Sequence, residues 1–180
     1  MPSIPLPSDG ELPEPVANRL ARLPALNIFR LLALVPECFG PWVDLVNGMY
    51  ETGIDPRLRE IAICRYGART HAPYELFQHT PLARQQHVSP AELEAILHAE
   101  TVDSLDDAAN FTCGVVDEFE GTASLSEPAH AELLARFGRR TATAFLVLLG
   151  HYSCVCRFLN ASGNPLEPHS PLEDAGSPTG

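Results

Sequence analysis

The chain of 180 residues contains no lysine; all twelve of its basic residues are arginine. That absence excludes a Schiff-base step and covalently held pyridoxal phosphate, since both need a lysine amine. It also excludes a Walker A phosphate loop, whose lysine is obligatory. No C-x-x-C occurs among Cys38, Cys64, Cys113, Cys154 and Cys156. An odd cysteine count without a signal-like start points to free thiols and a reducing, cytoplasmic setting. Cys154 and Cys156 form a C-x-C, and residues two apart on a helix face different ways, so they read as small core fillers. No unbroken apolar run approaches the roughly 18 residues of a membrane span. The opening MPSIPLPSDGELPEP has no basic start followed by an apolar stretch, so a secretory leader is not expected. Positive charge is scarce: 12 basic against 23 acidic residues give a net charge of −11. Such a surface repels a phosphate backbone and anionic lipid, so neither nucleic acid nor membrane is an expected partner.

What is present is an ordinary core-forming composition, 45% hydrophobic, in a length suited to one domain with tails. The ends are rich in proline. Residues 1–24 read as an extended N-terminal arm, 25–163 as a helical domain, and 164–180 as a flexible tail. Within the domain the apolar spacing is helical throughout. Asn27–Val35 opens with Asn27 as a plausible N-cap and stops at Pro36. Glu37–Tyr50 carries Phe39, Trp42, Val43, Val46 and Met49 on one stripe. Asp55-Pro56 starts a helix to Thr70, Ala72-Pro73 one to about Gln86, and Ser89-Pro90 with Glu92 one through His98. Leu105–Glu120, Glu127–Phe137 and Thr141–Leu159 follow. The last is apolar nearly all round, which predicts a central buried helix or an oligomer seam. The pattern is that of an all-α bundle of about seven to eight helices, with apolar faces that suit a homo-oligomer.

The densest group of ionisable residues lies in DPRLREIAICRYGARTHAPYELFQHTPLA. Glu75 and His79, at i and i+4, share one helix face. The tight His71-Ala72-Pro73 connection folds their helix back on the preceding one and brings Glu60 towards them. Two carboxylates and an imidazole, withdrawn from water, are the parts of an acid–base catalyst. The same three could instead supply metal ligands. On spacing alone a Glu-x-x-x-His pair is more often a solvated surface contact. Around this group, Arg65 is a candidate clamp for a substrate carboxylate. Tyr74 is a candidate donor to an enolate, Cys64 lies one turn after Glu60, and His71 sits at the turn. His151, in the most apolar helix, reads as a satisfied core histidine.

The run LREIAICRYGARTHAPYELFQHTPLARQQHVSPAELEAI resembles the carboxymuconolactone decarboxylase family, which includes the AhpD-like alkylhydroperoxidases. The opening NIFRLLALVPECFGPW and the ending LLGHYSCVCRFLNASGNPLEP extend the likeness over most of residues 25–168. The resemblance implies an all-helical, AhpD-like fold, a trimer or hexamer, and sites near subunit contacts. The family's peroxidase branch uses a Glu, a C-x-x-C and a His four residues after the second Cys. By spacing these fall on Glu60, Ala72, Glu75 and His79, so both thiols are missing and a thiol–disulfide cycle cannot run there. The expectation is therefore a decarboxylase-like lyase with no cofactor, acting on a small carboxylated lactone or β-keto acid. His79 would donate the proton, Glu60 would set its charge, and Glu75 would act as second acid or base. Tyr74, Arg65, Cys64 and His71 would line the substrate site. The alternatives are a metal-dependent lyase or oxygenase on Glu60, Glu75 and His79, and a degenerate assembly or binding protein.

Overall fold

The computed structural model describes residues 3–173, which form helices and turns with no strand among them. A short 3-10 turn, Asp9–Glu11, precedes α1 (Glu14–Leu20), α2 (Asn27–Leu32), α3 (Pro36–Tyr50), α4 (Pro56–Arg69), α5 (Pro73–Gln85), α6 (Pro90–His98), α7 (Asp107–Thr122) and α8 (Glu127–Ser162). The abundant prolines start helices rather than break them. In α1, α3, α4, α5, α6 and α8 a proline takes the first or second position. There its missing N–H costs nothing and its fixed φ suits the helix. Asp55 caps α4 by accepting from the N–H groups of Arg57 and Leu58, and Ser89 with Glu92 forms a capping box on α6.

The central helix is α4, not the apolar segment of α8 that the sequence pattern favours. Ten consecutive residues, Leu58 to Gly67, are buried, and α5, α6, α7 and α8 all pack on it. Gly67 allows the closest approach: a Cβ there would stand 3.0 Å from Leu76 Cδ2 and 3.5 Å from Glu75 Cβ. The chain needs no side chain at that point for α5 to lie against α4. On its other side α4 is anchored by Arg65, which is fully buried. Arg65 makes a bidentate pair with Asp117 of α7 and donates to the carbonyls of Ile96, Ala99 and Glu100.

Residues 127–162 are two helical segments broken at Gly138, whose φ of 69° and ψ of 169° suit only glycine. By length and composition one stretch of α8 is apolar enough to cross a bilayer, but half of it is buried inside the bundle. It serves as a wall of the core while leaving Leu134 and Val147 exposed.

Both proline-rich ends differ from simple arms. Within residues 3–24 the chain forms α1, and the Ile4 N–H donates to the Ser162 carbonyl at 2.9 Å. At the other end residues 164–173 are laid across the bundle. Gln85 donates to the carbonyls of Leu172 and Glu173, and the Ser170 hydroxyl donates to the Gln78 side chain at 2.6 Å. Residues 174–180, the remainder of the expected tail, lie outside the described residues. Asn27 does not cap α2 with its side chain; its amide reaches the Pro165 carbonyl instead. The first N–H groups of α2 are satisfied from elsewhere: Asn27 N–H donates to Glu167 and Ile28 N–H to the Tyr74 hydroxyl oxygen. A carboxylate at a helix N-terminus is favoured by both hydrogen bonding and the helix dipole.

Candidate active site

Glu60 projects from α4 and Glu75 and His79 from α5, and the close α4–α5 packing brings all three together. His79 Nδ1 lies 2.8 Å from Glu60 Oε2, and Nε2 lies 3.5 Å from Glu75 Oε2. All three side chains are buried. Arg59 Nε donates to the second oxygen of Glu60 at 3.0 Å. The Arg59 guanidinium also lies over the Tyr50 ring, 4.2 Å from its centroid. From α8, the Tyr152 hydroxyl stands 3.2 Å from His79 Nε2. Tyr50 is 43% exposed as a whole residue, but its hydroxyl end is buried near Tyr152, Glu60 and Glu75.

The charges divide in a useful way. Burial by itself raises the Glu60 carboxyl, but the His79 imidazolium and Arg59 outweigh it and hold Glu60 below its ordinary value. Burial by itself lowers His79, yet Glu60 prevails and keeps the ring protonated above its ordinary value. Glu75 has no arginine partner, so burial and the Glu60 charge raise it despite His79. The site thus holds a carboxylate, an imidazolium and a second carboxyl biased to its acid form. The nearby phenols are held neutral: burial pushes Tyr50 up to about 12 and Tyr152 well above its ordinary value.

These groups form one end of a cavity of about 220 Å³. Its walls are otherwise largely apolar, with Ile28 and Phe29 from α2, Trp42, Val43 and Val46 from α3, and Val155 from α8. Leu23, Pro24 and Leu26 of the α1–α2 connection and Leu172 of the C-terminal strap complete it. Glu167 locks that strap. One oxygen accepts from the Tyr74 hydroxyl and from Asn27 N–H, and the other from the Gln78 amide, each at 2.5 Å.

Residues 36–118 match the family model described as the carboxymuconolactone decarboxylase family. Over those residues the chain is similar to that family. A search of curated proteins gives no match. Among solved structures the chain is similar to the alkylhydroperoxidase AhpD core of an uncharacterized peroxidase-related protein from Ralstonia eutropha. The two share 16% identity over 97% of this chain and 95% of that one, with a TM-score of 0.76. At that identity the likeness shows the all-α, AhpD-like fold alone.

The chain places the residues singled out in its sequence unevenly. Glu60, Glu75 and His79 meet. Tyr74 reaches the cavity wall, but its hydroxyl is committed to Glu167 and Ile28, so it is not free to serve an enolate. Arg65 faces the opposite side of α4 and holds α7 and the end of α6 in place; it is not a carboxylate clamp. Cys64 is fully buried beside Glu60, Glu75 and Thr80 and lines none of the cavity. Burial and the two carboxylates raise its thiol, which keeps it unreactive. His71 is an exposed turn residue at φ 50°, away from the cavity. His151 is not a satisfied core histidine: it lines the cavity, and no hydrogen bond to its ring is found among the described residues.

Helical spacing does not point to Tyr152, Tyr50, Arg59, Gln78 or Glu167, which the fold brings to the site. A signal existed for the first. His151-Tyr152 is the sole adjacent pair of titratable ring side chains in AFLVLLGHYSCVCRFL, and such groups in an apolar helix need partners. Glu167 carried no periodic signal, because it acts from a strap more than ninety positions along the chain from Tyr74 and is recognisable only in three dimensions.

Proposed function

We propose that this chain is an acid–base decarboxylase acting on a small β-keto acid or carboxylated lactone. The observation that carries the reading is the Glu60–His79 contact, with the far nitrogen of His79 turned to an apolar cavity beside Glu75 and Tyr152. In such a substrate the bond from carbon to carboxylate breaks. Its electron pair passes into the adjacent carbonyl as an enolate, and carbon dioxide leaves. His79 gives a proton through Nε2 to the enolate carbon and regains one from solvent. Glu60, a carboxylate against Nδ1, keeps the ring charged until that transfer. The protonated Glu75 offers a hydrogen bond to the enolate oxygen, and Tyr152, held neutral, orients Nε2. The apolar walls favour the neutral product, carbon dioxide, over the charged carboxylate it comes from.

A thiol peroxidase draws no support, because Ala72 and Glu75 stand where that chemistry needs its two cysteines and the thiol of Cys64 is raised. The metal-dependent reading draws less support than the acid–base one. Among the described residues no group of three or more His, Cys, Asp and Glu side chains is arranged to hold a metal ion, and Nδ1 of His79 already faces Glu60. The homo-oligomeric reading fits the exposed Leu45, Leu134 and Val147, and sedimentation of the purified protein tests it.

The experiment is carbon dioxide release from acetoacetate and from the monocarboxylated lactone 2-oxotetrahydrofuran-3-carboxylate, compared between the wild type and His79→Gln. Deuterium exchange next to the carbonyl of cyclopentanone in heavy water runs alongside, since protonating an enolate is the reverse of forming one. We expect release from at least one acid, exchange into the ketone, and loss of both in His79→Gln with an unchanged melting curve. Equal rates in His79→Gln, or metal at one per subunit that is needed for turnover, would overturn the proposal.

A further inference from the structure

The cavity has a second polar end that acid–base chemistry does not use. His151 is only 9% exposed and lies in the cavity wall. Its ring is stacked at a tilt against Trp42, with centroids 5.0 Å apart. Tyr152 stands between the two imidazoles, edge-on to both, at 5.5 Å from His79 and 5.4 Å from His151. Every other buried polar side chain of the wall is engaged. Tyr74 and Gln78 hold Glu167, His79 holds Glu60 and Tyr152, and Glu75 lies against His79. Of these buried wall residues only the ring of His151 has neither a hydrogen bond nor an ion pair among the described residues. A buried polar group normally finds one, so an unpartnered ring facing a cavity marks the place of a ligand atom.

We infer that His151 binds the far end of the substrate by a hydrogen bond, and that the substrate is a monocarboxylate carrying a neutral carbonyl or hydroxyl opposite its reacting end. A dicarboxylate does not fit. No arginine lines that cavity among the described residues: the ring packs against Trp42 and Tyr152, and a second carboxylate there would be desolvated without a counter-charge. Burial also holds His151 down at about 4, so the ring stays neutral near pH 7. A neutral imidazole donates to a carbonyl or accepts from a hydroxyl, and does neither job by charge. The two histidines thus divide the cavity into a charged reacting end and an uncharged recognition end.

The inference rests on the decarboxylase reading for which end reacts, but its test reads binding alone, so each can fail without the other. Three probes of one shape are titrated by calorimetry. Levulinate has a ketone at the far end, pentanoate has a methylene there, and succinate has a second carboxylate. Fluorescence of Trp42, the chain's single tryptophan, gives a second readout beside His151. Levulinate should bind about tenfold more tightly than pentanoate, the size expected of one hydrogen bond to a buried group, and succinate should bind least. His151→Phe keeps a ring against Trp42 but has no N–H, and should erase the advantage of levulinate while leaving pentanoate unchanged. His151→Asn, which keeps a donor, should retain part of that advantage and guards against a folding defect in the first variant. Equal affinity of levulinate and pentanoate for the wild type would overturn the inference. So would succinate matching levulinate, an advantage that survives in His151→Phe, or no levulinate binding at tens of millimolar.

Discussion

Replacing Glu60 by Gln isolates the force that keeps His79 charged. The substitution preserves shape and leaves an oxygen able to face Nδ1, but removes the negative charge 2.8 Å away. With that charge gone, burial and Arg59 both act to lower His79, and Glu75, biased to its neutral form, offers little in return. His79 should therefore move from above its ordinary value of 6.5 to below it. The same charge pair bears on stability, and the signs are fixed by the two shifts. His79 is raised, so its contribution is fully present below pH 6.5 and is lost as pH rises through its raised value. Glu60 is lowered, so its contribution is present above pH 4.5 and is lost as pH falls through its lowered value. Both are present between these limits. Breaking a buried pair from one side costs on the order of 3 kcal/mol, or roughly 6–12 °C in melting temperature for a domain of this size. Melting curves of wild type and Glu60→Gln at pH 5.5 and pH 9 should show the wider gap at pH 5.5. Histidine ring resonances followed across pH, with His79 assigned by its loss in His79→Gln, give the shift itself. A gap that does not change with pH, or a His79 that still titrates above 6.5 in Glu60→Gln, would refute the pairing as the source of its charge.

Three further expectations follow from other parts of the molecule. Glu167→Ala leaves Asn27 N–H, the Tyr74 hydroxyl and the Gln78 amide without their acceptor. It should cost about 2–3 kcal/mol in chemical denaturation and speed hydrogen exchange at the start of α2. Iodoacetamide at pH 8 should label the exposed Cys38 and Cys154 and spare Cys64, Cys113 and Cys156, which are buried with raised thiols; mass spectrometry would then show two adducts on the folded protein. Gly138→Ala forces a side chain into backbone space that glycine alone occupies readily, and should destabilise by about 1–3 kcal/mol while sparing ligand binding, since Gly138 lies outside the cavity.

Most of the helices were legible because their starts carry local chemistry. Asp55-Pro56 and Ser89-Pro90 with Glu92 state a cap and a first turn within four residues, and the structure places α4 and α6 there. Glu60, Glu75 and His79 were legible for a related reason: all fall within two helices joined by a tight turn, so helical spacing alone sets their proximity. The errors came where partners are distant in sequence. Arg65 looked like a substrate clamp because it lies near Glu60 along the chain, but five residues on a helix turn a side chain well away, here towards Asp117. Asn27 looked like a cap because no local pattern could reveal Glu167 arriving at the same helix end from 140 positions away. α1 was hidden by the prolines around it, although Pro15, at the second position of its first turn, needed no N–H there.

The strap held by Glu167 also bears on how the protein comes to be made. Glu60, Glu75 and His79 lie within 20 positions of one another, so α4 and α5 can assemble them as soon as residue 85 has left the ribosome. Tyr152 and His151 come with α8, and Leu172, the last wall of the cavity, comes later still. A nascent chain therefore holds its ionisable cluster in water first and buries it once α8 has packed, the strap closing the cavity last. Until then Glu60 and His79 should titrate near ordinary values, and the shifted charges that define the site appear as a late product of translation.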